Sequence, residues 1–280
     1  MRRNKTMKIA FSTLGCPKWD LDTICRRAVE YGFHGIDWRG FGEHLDITVS
    51  PAFTRDLSAT AARIRKAGIE VSGISSSIHL CDAASQEANI EEAKRTIRVA
   101  SALGAKTVRV FCGGDPSKTP KDELASHGAD CMRTILSLPG ADKITWGLET
   151  HDHWVHTLDL RKVLDRLPQT NVGVVWDIAH SPRLAGESPE EVIRAVGPRI
   201  VYTHIKDCVK EPGNPAAEHD GWRYVLPGRG QIPLAQAIAL LKSIGYDGWL
   251  VFEHEKRWIP ALPEPEEAFP AFANWAKGLL

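Results

Sequence analysis

Four residues carry donor atoms suited to chemistry and share one kind of position. Glu149, Asp177, His204 and Glu253 each stand where a run of apolar or β-forming residues gives way to polar sequence. The runs are 144–149, 172–177, 200–206 and 249–253. A lone carboxylate at such a place is usually a helix cap or an ion-pair partner. Four successive runs, each giving His, Asp or Glu at the equivalent position, make that explanation poor for the group. One imidazole and three carboxylates form a donor set for a single divalent cation. Mn²⁺ leads, with Mg²⁺, Co²⁺ or Zn²⁺ as alternatives. The set lacks cysteine, which excludes a structural zinc site.

Side chains alternate along a strand, so residues two apart share a face. His151 therefore points with Glu149, Lys206 with His204, and Glu255 with Glu253. Arg39 and Arg109 end two earlier runs. Arg109 lies between Val108 and Val110, so its head must find a partner or water where the strand emerges. Either arginine could bind an acid group or sugar hydroxyls. Tryptophans could offer flat faces to a sugar ring, although core packing is the default for each. Trp154 and Trp222 are the better candidates because both fall in loops.

The elements that position these residues repeat. Lys8–Ser12 reads as a first strand, and Asp20 caps a helix with Leu21, Ile24, Ala28 and Tyr31 on one face. Gly32 ends it, and 35–39 is a second strand. Gly32, Gly68, Gly104 and Gly140 recur every 36 residues, each closing a helical pattern ahead of a strand. Thr119-Pro120 reads as an N-cap with Pro at N1, and Ser188-Pro189-Glu190-Glu191 as a capping box. Eight strand–helix units predict a (β/α)8 TIM barrel, one α/β domain over residues 1–280. A doubly wound sheet would want Gly-x-Gly-x-x-Gly after the first strand. Leu14-Gly15-Cys16-Pro17 stands there instead. The connection from Asp207 to Gly230 is long and reads as a loop that could act as a lid.

Composition is that of a globular chain, with 35 basic and 35 acidic residues. That balance gives no reason to expect nucleic acid or an anionic membrane as partner. Six scattered cysteines with no C-x-x-C pair read as buried thiols in a reducing compartment. Met1–Lys5 is basic but lacks the apolar core of a signal peptide, so the expected location is cytoplasmic. A homo-oligomer is left open.

Several strings carry a family resemblance. Gly-Leu-Glu-Thr-His (147–151), Trp-Asp-Ile-Ala-His (176–180), His-Ile-Lys-Asp (204–207), Leu-Pro-Gly-Arg-Gly-Gln-Ile-Pro (226–233) and Phe-Glu-His-Glu (252–255) resemble the sugar phosphate isomerase/epimerase group of the xylose isomerase-like barrels, the AP endonuclease family 2. The resemblance covers nearly the whole chain. It implies that Glu149, Asp177, His204 and Glu253 hold one metal and that His180 touches a substrate oxygen. It also implies that Glu149 and Glu253 are a catalytic pair moving a proton beside a carbonyl, by way of an enediolate. Lys206, His151 and His79 are then candidates for steering hydroxyls.

The match departs from two branches. Ketose 3-epimerases carry a substrate arginine where this chain has Tyr224. Apurinic-site endonucleases need a histidine where Arg109 stands, and an Asp-x-His pair absent between Asp207 and Gly230. The expected activity is isomerisation or epimerisation of a small, unphosphorylated carbohydrate. A lyase or dehydratase acting on a keto-sugar, keto-inositol or 3-keto-glycoside through the same enediolate is the alternative, and a catalytically silent barrel is the third reading.

Overall fold

The computed structural model describes residues 6–280, so the reading of Met1–Lys5 lies outside the described residues. The strands are β1 (Lys8–Ser12), β2 (Gly35–Trp38), β3 (Glu70–His79), β4 (Thr107–Phe111), β5 (Thr145–Glu149), β6 (Val172–Asp177), β7 (Ile200–Ile205), β8 (Asp207–Lys210), β9 (Trp222–Val225) and β10 (Trp249–Phe252). All but β8 and β9 pair in parallel in the order β1-β10-β7-β6-β5-β4-β3-β2 and close on themselves. Helices α1 (Leu21–Glu30), α2 (Leu57–Lys66), α3 (Gln86–Leu103), α4 (Lys121–Leu136), α5 (Thr157–Leu164), α6 (Pro189–Val196), α7 (Leu234–Ser243) and α8 (Pro265–Lys277) alternate with the barrel strands. This is the expected (β/α)8 barrel. Among the described residues no helix is long and apolar enough to cross a membrane.

Local signals acted as their chemistry requires. The Thr23 amide donates to Asp20 Oδ1 at 2.8 Å, which starts α1. Both arms of the Ser188–Glu191 capping box form ahead of α6. The four periodic glycines all take positive φ, between 73° and 87°. Pro120 is the N-cap of α4 rather than its first helical residue, with extended backbone at ψ 139°. β3 runs four residues past Ser75 because its pairing with β4 shifts between Ser75 and His79.

The main core lies between strands and helices, where Phe11, Phe33, Phe252, Phe269 and Phe272 stack ring on ring or ring on edge. A second, smaller cluster of Ala10, Val175, Tyr202 and Val251 is set apart from it. Val175, Tyr202 and Val251 precede Asp177, His204 and Glu253 by two residues, so period-two alternation puts those polar groups on the same side of the strands. Gly73 makes room for this packing, since a Cβ there would lie 2.9 Å from the Tyr202 hydroxyl. That hydroxyl reaches Ser72 Oγ at 2.7 Å and donates to Asp37 Oδ1 at 3.2 Å.

The stretch after Asp207 is not a loose loop. β8 and β9 form an antiparallel ribbon with Asp207 opposite Val225 and Lys210 opposite Trp222. The Asp207 carboxylate closes its base by accepting from the amides of Cys208, Gly228, Gly230 and Ile232 at 2.8–3.2 Å. Gly230 must be glycine there, because a Cβ would fall 1.9 Å from Asp207 Oδ1.

Candidate active site

Strand register assembles the centre. Asp177 on β6 lies opposite His204 on β7, which in turn lies opposite Val251 on β10. The Glu253 amide continues that ladder by donating to the Ile205 carbonyl at 3.0 Å. One potential ligand atom from each of Glu149, Asp177, His204 and Glu253 lies within 4.8 Å of the others, and all four residues are buried. His204 Nδ1 sits 2.7 Å from Glu149 Oε1 and 3.4 Å from Glu253 Oε2.

Neighbouring groups aim these four side chains. Asp177 Oδ1 accepts from the amides of Ala179 and His180 at 2.9 and 3.1 Å, which turns Oδ2 toward the others. Arg109 is 2% exposed; its Nε lies 3.0 Å from Glu149 Oε2 and its Nη1 donates to the Ser76 carbonyl at 2.7 Å. Its guanidinium also lies over the Phe111 ring at 3.8 Å. Lys206 Nζ reaches Glu253 Oε2 at 2.6 Å, Glu255 Oε1 at 2.7 Å and Asp177 Oδ2 at 2.9 Å. Glu255, read only as sharing a face with Glu253, is therefore part of the centre.

Charge and solvation fit a divalent ion. Without a metal, burial lowers His204, but Glu253 and Glu149 outweigh it and raise the imidazole to about 9. Once His204 is neutral, as a metal ligand must be, the carboxylates of Glu149, Asp177, Glu253 and Glu255 outnumber the cations paired to them, Arg109 and Lys206, by four to two. Glu149 Oε2, Asp177 Oδ2 and His204 Nε2 are buried without a hydrogen-bond partner; the ion-pair contacts to the two carboxylate oxygens are close but not aligned for donation. Unsatisfied buried atoms around an excess of two negative charges are what a divalent cation would resolve.

The same contacts set ionisation. Burial raises the Glu149 carboxyl, but Arg109 and His204 outweigh it and hold the group well below the usual range. Burial likewise raises Glu253, which His204 and Lys206 bring down to about 2. Burial lowers His180 to about 4, so its imidazole is neutral at pH 7. His180 Nδ1 is 3.1 Å from the Thr150 carbonyl, which leaves Nε2 for another partner.

The other expected substrate residues separate into groups. His79, His151 and His180 join one aromatic run through Phe111, with centroid spacings of 4.6–5.0 Å. Arg39 follows β2, is 6% exposed, and donates from Nη1 to Ser77 Oγ at 2.6 Å. Arg109, expected to offer its head to a ligand, is instead spent on Glu149 and the Ser76 carbonyl. Trp154 is fully buried, and its indole N–H donates to the Gly113 carbonyl at 2.6 Å, so it is a packing residue. Trp222 lies at the far end of the β8–β9 ribbon beside Lys210, whose ammonium is 5.4 Å from the ring centroid. Tyr224, one alternation closer to the ribbon base, is the more deeply set ribbon aromatic: burial raises its phenol to about 12, and the charge of Lys206 offsets this in part. Neither Glu255 nor Tyr224 could be chosen from residue type alone; the ribbon pairing is what selects Tyr224. A cavity of about 620 Å³ opens between Trp19, Glu43, Arg257 and Trp258, but none of the four clustered ligand residues lines it.

Fold and centre together define a (β/α)8 barrel with a buried His-carboxylate cluster at the C-terminal strand ends. The chain belongs to the xylose isomerase-like TIM barrel family, whose profile matches residues 25–279. It is 24% identical over 195 residues to the uncharacterised protein YihM of Escherichia coli, covering 69% of this chain and 54% of that one. It is 28% identical over 170 residues to an inosose dehydratase of Klebsiella pneumoniae subsp. pneumoniae, covering 55% and 54%. The matches thus span about half the length of these two relatives. Among solved structures it resembles the IOLI protein with a bound zinc atom, with TM-score 0.79, 20% identity and 98% of each chain covered. It also resembles the 3-keto-D-glucoside 4-epimerase YcjR from E. coli, with TM-score 0.73, 16% identity, and 98% and 99% covered. At these identities the structural likeness shows the fold alone.

Proposed function

We propose that this chain is a divalent-metal-dependent isomerase or epimerase of a sugar or keto-sugar. The observation that carries the reading is the meeting of four potential ligand atoms within 4.8 Å in a buried, negatively charged centre. Glu149, Asp177, His204 and Glu253 would hold the ion, with Mn²⁺ the leading candidate. When bound, it supplies a Lewis acid that polarises a carbonyl and the adjacent hydroxyl. Two ionised glutamates flanking His204 are the bases available for the C–H beside that carbonyl. One takes the proton and leaves an enediolate; a proton then returns to that carbon from the glutamate on the opposite face, which has first drawn it from solvent, and the glutamate that took the substrate proton releases it to water. His180, neutral with Nε2 uncommitted, suits a substrate hydroxyl, and His151 and His79 bring further ring nitrogens, while Lys206, expected to steer a hydroxyl, is committed to the carboxylates of Asp177, Glu253 and Glu255.

The family membership supports this outcome. A dehydratase would share the first proton abstraction and then expel water from the next carbon, and similarity to an inosose dehydratase supports it as the second reading. Turnover of D-fructose, D-tagatose and 2-keto-myo-inositol in D2O by the Mn²⁺-loaded protein separates the two. Isomerisation or epimerisation gives a product of unchanged composition apart from incorporated deuterium, whereas dehydration gives one lighter by water. Glu149→Gln and Glu253→Gln should each lower the rate by about 10²–10⁴-fold. Near-wild-type activity in either variant overturns the two-glutamate scheme.

A further inference from the structure

Arg39 is built into the mouth of the barrel and left half-used. Its amide donates to Thr13 Oγ1 at 2.9 Å, and that hydroxyl donates to the Gly40 carbonyl at 2.8 Å, so the backbone is pinned. Nη1 donates to Ser77 Oγ at 2.6 Å, and the Ser77 amide is itself held by Glu92 Oε1 at 2.5 Å. Among the described residues, Nε and Nη2 meet no acceptor and no carboxylate pairs with Arg39. An arginine that is 6% exposed over the whole residue, its guanidinium anchored on one side and unpaired on the other, is costly unless something else completes it.

Its surroundings say what is missing. Burial, then the like charge of Arg109, bring Arg39 down to about 10, and Glu92, Glu253 and Glu149 offset this only in part. The two glutamates of the clustered centre are thus near enough for their charge to be felt. Arg109 has its own carboxylate in Glu149, and Arg39 has none. The Nε–Nη2 edge of a guanidinium matches the two oxygens of one carboxylate in a bidentate pair.

We propose that Arg39 receives a carboxylate carried by the substrate, so that the substrate is a polyhydroxylated keto-acid, a keto-sugar acid or keto-cyclitol carboxylate, rather than a neutral sugar. This rests on the function proposed above and narrows it. One free edge suits a carboxylate better than a phosphate dianion, which needs more donors than Arg39 has left.

The test is calorimetric binding to the Mn²⁺-loaded protein of paired probes: D-glucuronate with D-glucose, D-galacturonate with D-galactose, and shikimate with its methyl ester. D-glucose 6-phosphate is the phosphate arm. At least one acid should bind about tenfold or more tightly than its neutral partner and than the phosphate ester. Arg39→Gln should erase that preference while Mn²⁺ affinity stays within twofold of wild type. Arg39→Lys keeps the charge without the fork, should lose most of the preference, and reads the same result if the glutamine variant does not fold. Equal binding of acid and neutral probes, tighter binding of the phosphate ester, no acid bound at 10 mM, or a preference that survives Arg39→Gln each overturns the inference. Failure of Mn²⁺ itself to bind sinks the metal-dependent reading instead, and is scored separately in the same titrations.

Discussion

Arg39 and Arg109 are both expected to end strands, yet Arg109 lies midway along β4 and is consumed by Glu149 and the Ser76 carbonyl, while Arg39 follows β2 and keeps a free edge. Their difference depends on neighbours from other strands, which spacing does not reveal. The clustered ligands were legible for the opposite reason. Each combines a donor side chain with a strand end, and period-two alternation carries Glu149, Asp177, His204 and Glu253 to one side of the barrel wall. Trp154 was misjudged because a place in a loop says nothing about burial. One titration belongs at this scale. His254 is buried with Nε2 2.8 Å from the Pro263 carbonyl, and burial lowers it to about 4. Unfolded, it would titrate near 6.5, so between these values the unfolded chain binds the extra proton. Its contribution is therefore full above about pH 6.5 and is lost as pH falls through 4, by about 3 kcal/mol at most. Guanidinium denaturation of wild type and His254→Gln from pH 7 to 4 should show a shallower loss in the variant. Parallel curves would remove His254 from the acid sensitivity.

At the scale of elements, the helices and barrel strands could be read from apolar periodicity, capping residues and the glycines that recur every 36 residues. The β8–β9 ribbon could not. Its connection is rich in Gly, Pro, Asn and charged residues, the composition of a loop, and each strand has only four residues. Four amides converging on Asp207 hold it in place, a long-range fact that leaves only a lone aspartate in the sequence. Asp207→Ala would strand those donors, at a cost of about 2–4 kcal/mol. Gly230→Ala, which drives a methyl group into the same carboxylate, should also destabilise the ribbon base. Amide hydrogen exchange should show lost protection confined to β8, β9 and residues 226–232. Unchanged protection in Asp207→Ala would mean that strand pairing alone holds the ribbon.

Over the whole molecule, the closed barrel concentrates negative charge at one end of a parallel sheet and surrounds it with arginine, lysine and histidine. Lys206 binds three carboxylates at once, and no spacing argument could tell that its ammonium turns into the cluster rather than toward a substrate. Of the four clustered residues, Glu149 and Asp177 end β5 and β6, His204 is next to last in β7 and Glu253 directly follows β10, so barrel closure and the centre stand or fall together. The most direct test is a Mn²⁺ titration of metal-stripped protein, followed by calorimetry and by paramagnetic resonance of the bound ion. One ion per chain should bind, with affinity reduced at least about tenfold in His204→Asn and in Asp177→Asn. A chain that binds no divalent ion, or binds it equally well in both variants, would contradict the account.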